Sequence, residues 1–151
     1  MCVALAPGGR ARNENREMSL RLDFLPESEN GRPLILVHGD DRDAVLRLAK
    51  TFGRLSRGVL ERLAIHQLPY IDADECRLIA IQGERDQGTH ELGSTKAFEW
   101  VESPAGWADV AALVVTLRRP SKSGHQYLAP SPFGGGRGIV VQLSVGEPWA
   151  L

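Results

Sequence analysis

The sequence predicts an α+β fold, a two-layer α/β sandwich with a mainly antiparallel sheet and two helices. Three observations predict it. Two stripes of apolar residues recur at helical spacing, each is flanked by apolar runs of strand length, and the order of elements is the same in both halves of the chain. Two strands in a row after each helix break the strict alternation that a doubly wound parallel sheet requires.

The patterned chain is expected to start at Met18. Residues 1–17 have a brief apolar start, then Pro7, two glycines and a polar run, which is the composition of a mobile tail and lacks the basic-then-apolar order of a secretion signal. Leu20, Leu22 and Phe24 alternate with Arg21, Asp23 and Leu25, a period of two that suits a strand with one wet face. After a turn-forming stretch, Pro33 to Val37 is a continuous apolar run, as expected of a central strand buried on both faces. The two strands are expected to be sheet neighbours.

Asp40 and Asp41 are good N-caps, and behind them Val45, Leu48, Ala49, Phe52 and Leu55 form an amphipathic helical stripe that Gly58 ends. Leu60 to Leu68 and Arg77 to Gln82 read as strands joined through the acidic turn IDADE at 71–75, and residues 83–95 read as a polar connector. The order then recurs. Ala97 to Val101 is strand-like, Ser103-Pro104 is a cap with proline at the first helical position, and Trp107, Val110, Leu113, Val114 and Leu117 form the second stripe. His125 to Leu128 and Ile139 to Val145 follow as strands, separated by APSPFGGGRG.

Displaced by 65 positions, Val45, Leu48, Ala49 and Phe52 fall on Val110, Leu113, Val114 and Leu117. His66-Gln67 precedes IAIQ at nearly the distance at which His125-Gln126 precedes IVVQ. The expectation is therefore one domain over residues 18–151, built from two diverged β-α-β-β units at about 33–84 and 96–147.

Composition narrows the function. The chain has 151 residues, 42% hydrophobic and 25% charged, with net charge −1, so no global field draws it to nucleic acid or an anionic membrane. Two cysteines, Cys2 and Cys76, give no disulfide framework, and a cytoplasmic location is expected. No apolar run reaches the length of a spanning helix. The absence of a G-x-S-x-G elbow or paired metal-ligand spacing leaves no complete catalytic constellation in the string, so no cofactor or metal is expected.

Four residues stand out as candidates for binding. His66 and His125 occupy equivalent places in the two expected units and would converge near a pseudo-twofold axis, or else each makes a structural hydrogen bond at a strand start. Trp107 is one of three tryptophans, all in the second half, and tryptophan is enriched at partner-binding hot spots. Arg137 lies in FGGGRG, whose backbone N–H groups would suit an anion, although a hairpin loop fits its place before a strand better.

From Trp107 to Val145 the order of a helix ending in small polar residues, His125-Gln126-Tyr127-Leu128, a glycine-bearing loop and an apolar strand resembles small bacterial immunity proteins of polymorphic toxin systems. That resemblance implies a cytoplasmic protein that binds and masks a toxin domain without catalysis of its own. The leading expectation is thus a non-catalytic protein-binding module with a protein partner, and a homodimer through an edge strand is compatible with it. The alternative is a small metal-dependent enzyme or ligand-binding protein that uses His66 and His125 with carboxylates of IDADE.

Overall fold

Both helices begin at the caps the sequence supplies. In the computed structural model, which describes residues 19–28, 31–93, 96–119, 123–129 and 138–149, helix α1 spans Arg42–Ser56 behind Asp41, whose side chain accepts the Ala44 amide. Gly58 follows it with φ +73°, the left-handed conformation that glycine adopts without strain. Helix α2 spans Pro104–Val115 behind Ser103, whose hydroxyl accepts the Gly106 amide. Gly106 leaves room for the Asp86 carboxylate that receives the Ser103 amide and hydroxyl: a Cβ there would sit 2.2 Å from it and push it aside.

Nine strands accompany the two helices among the described residues: β1 (Leu20–Leu25), β2 (Leu34–Gly39), β3 (Arg62–Ala64), β4 (Ile71–Ala73), β5 (Arg77–Gln82), β6 (Gly88–Glu91), β7 (Ala97–Glu102), β8 (Gly124–Ala129) and β9 (Val140–Val145). They form two mixed sheets, of order β4-β1-β2-β9-β8 and β3-β5-β7-β6, which makes the fold α+β as expected. The continuous apolar run of β2 is buried from Leu34 to Val37, at the centre of the five-stranded sheet, and β1 is its antiparallel neighbour.

Most strand pairings among the described residues are antiparallel, as expected, four against three, and the parallel ones include the central pair of each sheet, β2 with β9 and β5 with β7. The sheets differ from expectation in two respects. The expected units do not each build their own sheet: β1 and β2 meet β8 and β9, while β3 and β5 meet β6 and β7, so each sheet draws on both halves. Part of IDADE is strand rather than turn, since Ile71–Ala73 leaves the β3-β5 hairpin and pairs parallel with β1 in the other sheet. Likewise the polar connector contains β6. Residues 1–17 and most of the loop before β9 lie outside the described residues.

The two sheets nevertheless share one pairing scheme. In each, an antiparallel hairpin from one half (β1-β2 or β6-β7) lies parallel, through its second strand, to the last strand of the other half's hairpin (β8-β9 or β3-β5). Leu34 opposite Val140 answers to Ala97 opposite Arg77.

One core joins the layers. The helices pack on each other where Phe52 of α1 stacks on Trp107 of α2, with centroids 5.4 Å apart and planes at 9°, and Trp100 of β7 closes the trio at 4.8 Å from Trp107. Phe24 of β1 meets Phe98 of β7 at 4.8 Å, which ties the sheets together. Such aromatic pairs add about 0.5–1.5 kcal/mol beyond their burial. At the rim of this core lies Glu102, only 2% exposed. Its Oε2 accepts the Trp100 indole N–H at 2.9 Å, while Oε1 has no hydrogen-bond partner among the described residues.

Burial, reinforced by Asp86, raises the Glu102 pKa against the pull of the Trp100 and Gly88 N–H groups. A carboxyl raised in the folded state costs stability as pH climbs from the unfolded value, about 4.3, through the folded one. Glu102→Gln is therefore expected to stabilise the protein by on the order of 1 kcal/mol at pH 8, with little difference at pH 4. Urea unfolding of both proteins at the two pH values checks this.

Candidate functional site

The outer face of the five-stranded sheet, turned away from the aromatic core, carries two hydrogen-bonded groups of polar side chains. Side-chain alternation puts Leu22, Ile35, Val37, Val141 and Leu143 on the core side, so their neighbours Arg21, Asp23, His38, Gln142 and Ser144 point the other way. The pairing registers then align Asp72, Arg21, His38, Ser144 and His125 in one row across all five strands. A second row, Asp23, Leu36, Gln142 and Tyr127, runs beside it.

Two hydrogen-bonded groups occupy these rows. In the first, the His38 Nε2 lies 2.8 Å from Asp23 Oδ2, and the Arg21 guanidinium donates to the same carboxylate at 3.3 and 3.4 Å. Burial works against the Asp23 charge, but the bonds from His38 and Arg21 outweigh it and leave the carboxyl below its ordinary value. In the second, residues 146–149 turn back across the sheet after β9. The Trp149 indole N–H donates to Ser144 Oγ at 3.0 Å, Ser144 Oγ donates closely to Glu147, and His125 Nδ1 reaches both Glu147 oxygens at 3.1 Å. The Ser144 bond, aided by His125 and opposed by burial, lowers the Glu147 pKa. Trp149 joins the two groups, since its ring centroid lies 6.3 Å from that of His38.

This geometry constrains the chemistry. Ser144 spends its proton on a carboxylate and accepts from an indole, so neither histidine is placed to take that proton as a general base. The face is covered over its centre, where Leu36, Gln142 and Ser144 are buried, and it presents polar groups and rings only toward its sides, Arg21 on β1 and His125 with Tyr127 on β8. Tyr127, in edge contact with His125 at 5.4 Å, is 54% exposed, and His125 is exposed beside it.

The four residues singled out from sequence fare differently. His125 stands in the row just described. His66 does not join it: its Nδ1 accepts the Leu78 amide at 3.0 Å, anchoring the ring to β5 in the other sheet. Its 3-10 turn, Ile65–Gln67, packs on β4, whereas His125 is on β8. These strands are opposite edges of the five-stranded sheet, four strand spacings or roughly 19 Å apart. The pair therefore cannot share a ligand. By pairing scheme the position answering to His125, opposite Ser144, is Arg62, opposite Ile81. Trp107 is wholly buried and donates to the Ile81 carbonyl at 3.0 Å, so it is a core residue and presents nothing to a partner. Arg137 lies outside the described residues.

Sequence reasoning missed His38, Asp23, Ser144, Glu147 and Trp149 as a set. The alternation of β1 signals a wet face bearing Arg21 and Asp23, but which strands continue that face is a matter of long-range pairing. Among the described residues no group of three or more His, Cys, Asp or Glu is placed to hold a metal ion. Cys76 is buried, which pushes its thiol up to about 12 and keeps it from acting as a thiolate. No family model, curated protein or solved structure matches the chain.

Asp23, with a folded pKa below the ordinary one, contributes stability that is present above about 4 and lost as pH falls through the folded value. Asp23→Asn is expected to cost about 1–3 kcal/mol at pH 7 and progressively less as pH drops below about 4. Denaturant titrations at pH 7 and pH 3 give the two differences.

Proposed function

We propose that this protein is a non-catalytic binding module that docks a protein partner on the outer face of its five-stranded sheet. The single observation behind this reading is the cross-strand row from Asp72 to His125, in which Asp23 holds Arg21 and His38, and Glu147 holds Ser144 and His125, before any partner arrives. Preorganisation cuts the ordering cost of association, and arginine, tyrosine and tryptophan are the residue types enriched at binding hot spots. Arg21, Tyr127 and Trp149 supply them here.

The resemblance of the second half to bacterial immunity proteins of polymorphic toxin systems agrees with this reading, and points to a toxin domain as the partner and the bacterial cytoplasm as the place of action. No helix of the described residues is long and apolar enough to cross a membrane, which fits that setting. The shared pairing scheme of the two sheets supports an internally duplicated chain, with a strand-strand-helix-strand-strand unit in place of the shorter one expected. If so, one sheet has kept the polar outer row while the corresponding face of the other holds Ile79, Ile81 and Val101.

The test is comparative. A partner captured from the source cell is identified, purified and titrated against the wild-type protein, Tyr127→Asp and Val59→Asp, the last altering an exposed residue beyond α1. Tyr127→Asp is expected to weaken binding at least tenfold, about 1.4 kcal/mol, with Val59→Asp unchanged. Equal binding by all three would remove the outer face from consideration.

A further inference from the structure

The segment after β9 offers a clue to what the partner presents. Glu147 is held by the Ser144 hydroxyl and by His125 Nδ1, two donors that converge on one carboxylate from adjacent strands. Arginines lie nearby, alongside Asp40 and Asp41, which follow the Gly39 that accepts the Gly146 amide. The Arg42 guanidinium, reaching from the start of α1, donates to the Leu117 carbonyl at 2.7 Å and comes within 3.3 Å of where a Cβ on Gly146 would lie. Arg118 and Arg119, both exposed, follow Leu117 directly. Asp23 and Asp72 are the other acids of the face; Asp23 is held by Arg21 and His38, and Asp72 lies opposite Arg21 on the edge strand β4.

We propose that Ser144 and His125 form a carboxylate-binding cradle, that Glu147 is its tethered occupant, and that an acidic segment of the protein partner takes the cradle by displacing Glu147. The inference rests on the binding reading above and adds the chemistry of the partner. Exchange conserves the donors' bonds: one carboxylate leaves Ser144 and His125 as another arrives, so neither is left buried and unsatisfied. The departing strap also removes Trp149 from Ser144 and His38, uncovering a serine that is 1% exposed and a histidine that is 12% exposed in its side chain. The arginines at the rim favour an acidic approach and speed encounter at low salt. Both donor bonds stabilise the ionised Glu147 carboxylate, in agreement with its lowered pKa.

The probe is a synthetic hexaglutamate peptide, titrated into wild-type protein, Glu147→Ala, and Glu147→Ala with His125→Ala, with circular dichroism confirming that all three are folded. Without its tethered competitor, Glu147→Ala is expected to bind the peptide about tenfold or more tighter than wild type, because a charge-assisted contact has been freed. His125→Ala is expected to abolish that gain. Glu147→Gln, which keeps the side chain's shape, is expected to fall between wild type and Glu147→Ala. No gain in Glu147→Ala, or a gain indifferent to His125, overturns the cradle. A single-stranded RNA hexamer that binds Glu147→Ala as tightly as the peptide overturns the assignment to an acidic protein segment. A captured partner that depends on Tyr127 but is indifferent to competition by hexaglutamate in Glu147→Ala sinks this inference and leaves the binding reading standing. Competition without dependence on Tyr127 does the reverse.

Discussion

The parallel contact between β2 and β9 brings together residues from the two ends of the domain, and the position of every other element follows from it. β2 is apolar on both faces, so it is stable only with a neighbour on each side and a layer over each face. β1 supplies one neighbour locally through a hairpin. The other comes from the far end of the chain, with Leu34 to Gly39 in step with Val140 to Val145. Closing so long a loop costs conformational entropy that local contacts do not return. That cost is offset by the apolar core that the pairing completes, in which Ile35 and Val37 of β2 and Val141, Leu143 and Val145 of β9 are buried.

The same contact makes the polar face. His38 and Ser144 are neighbours because β2 and β9 are in register, and His125 joins them because β8 hairpins onto β9. A shift of one residue would turn each of these side chains into the core and bring valines out. Core packing therefore fixes the site, and Val37, Leu143 and Val145 are as responsible for its geometry as the residues that display it. Glu102 shows the reverse tension, a carboxyl at the rim of the core, 2% exposed and held by the Trp100 indole N–H.

Much of this was legible in the string where the signal is local. Both caps, both helical stripes and seven of the strands announce themselves through residue chemistry within a few positions. β4 and β6 did not, because three or four residues rich in Asp, Gly, His and Glu have the composition of turns and become strands only by finding β1 and β7. Periodicity tells which residues share a face of one strand, but not which strand lies beside it. For that reason the mixed sheets, and the exchange of hairpins between halves, lay beyond sequence reasoning.

The histidines illustrate the same boundary at the level of the site. His66 and His125 were paired by string similarity, yet pairing register sets Arg62 against His125 and leaves His66 one turn beyond the end of β3, hydrogen-bonded to backbone. Trp107 belongs both to a residue type enriched at hot spots and to the apolar stripe of α2, and the stacking of α2 on α1, which buries that turn, decides for the stripe. Conversely Glu147 and Trp149 fall in a short stretch after the last strand with no periodicity to mark it. Their partners are a serine on the preceding strand and a histidine on its hairpin mate, so the only sequence signal available was the spacing of Ser144, Glu147 and Trp149. That spacing acquires meaning once β9 is known to end at Val145 with Gly146, at φ +75°, turning the chain back over its own sheet.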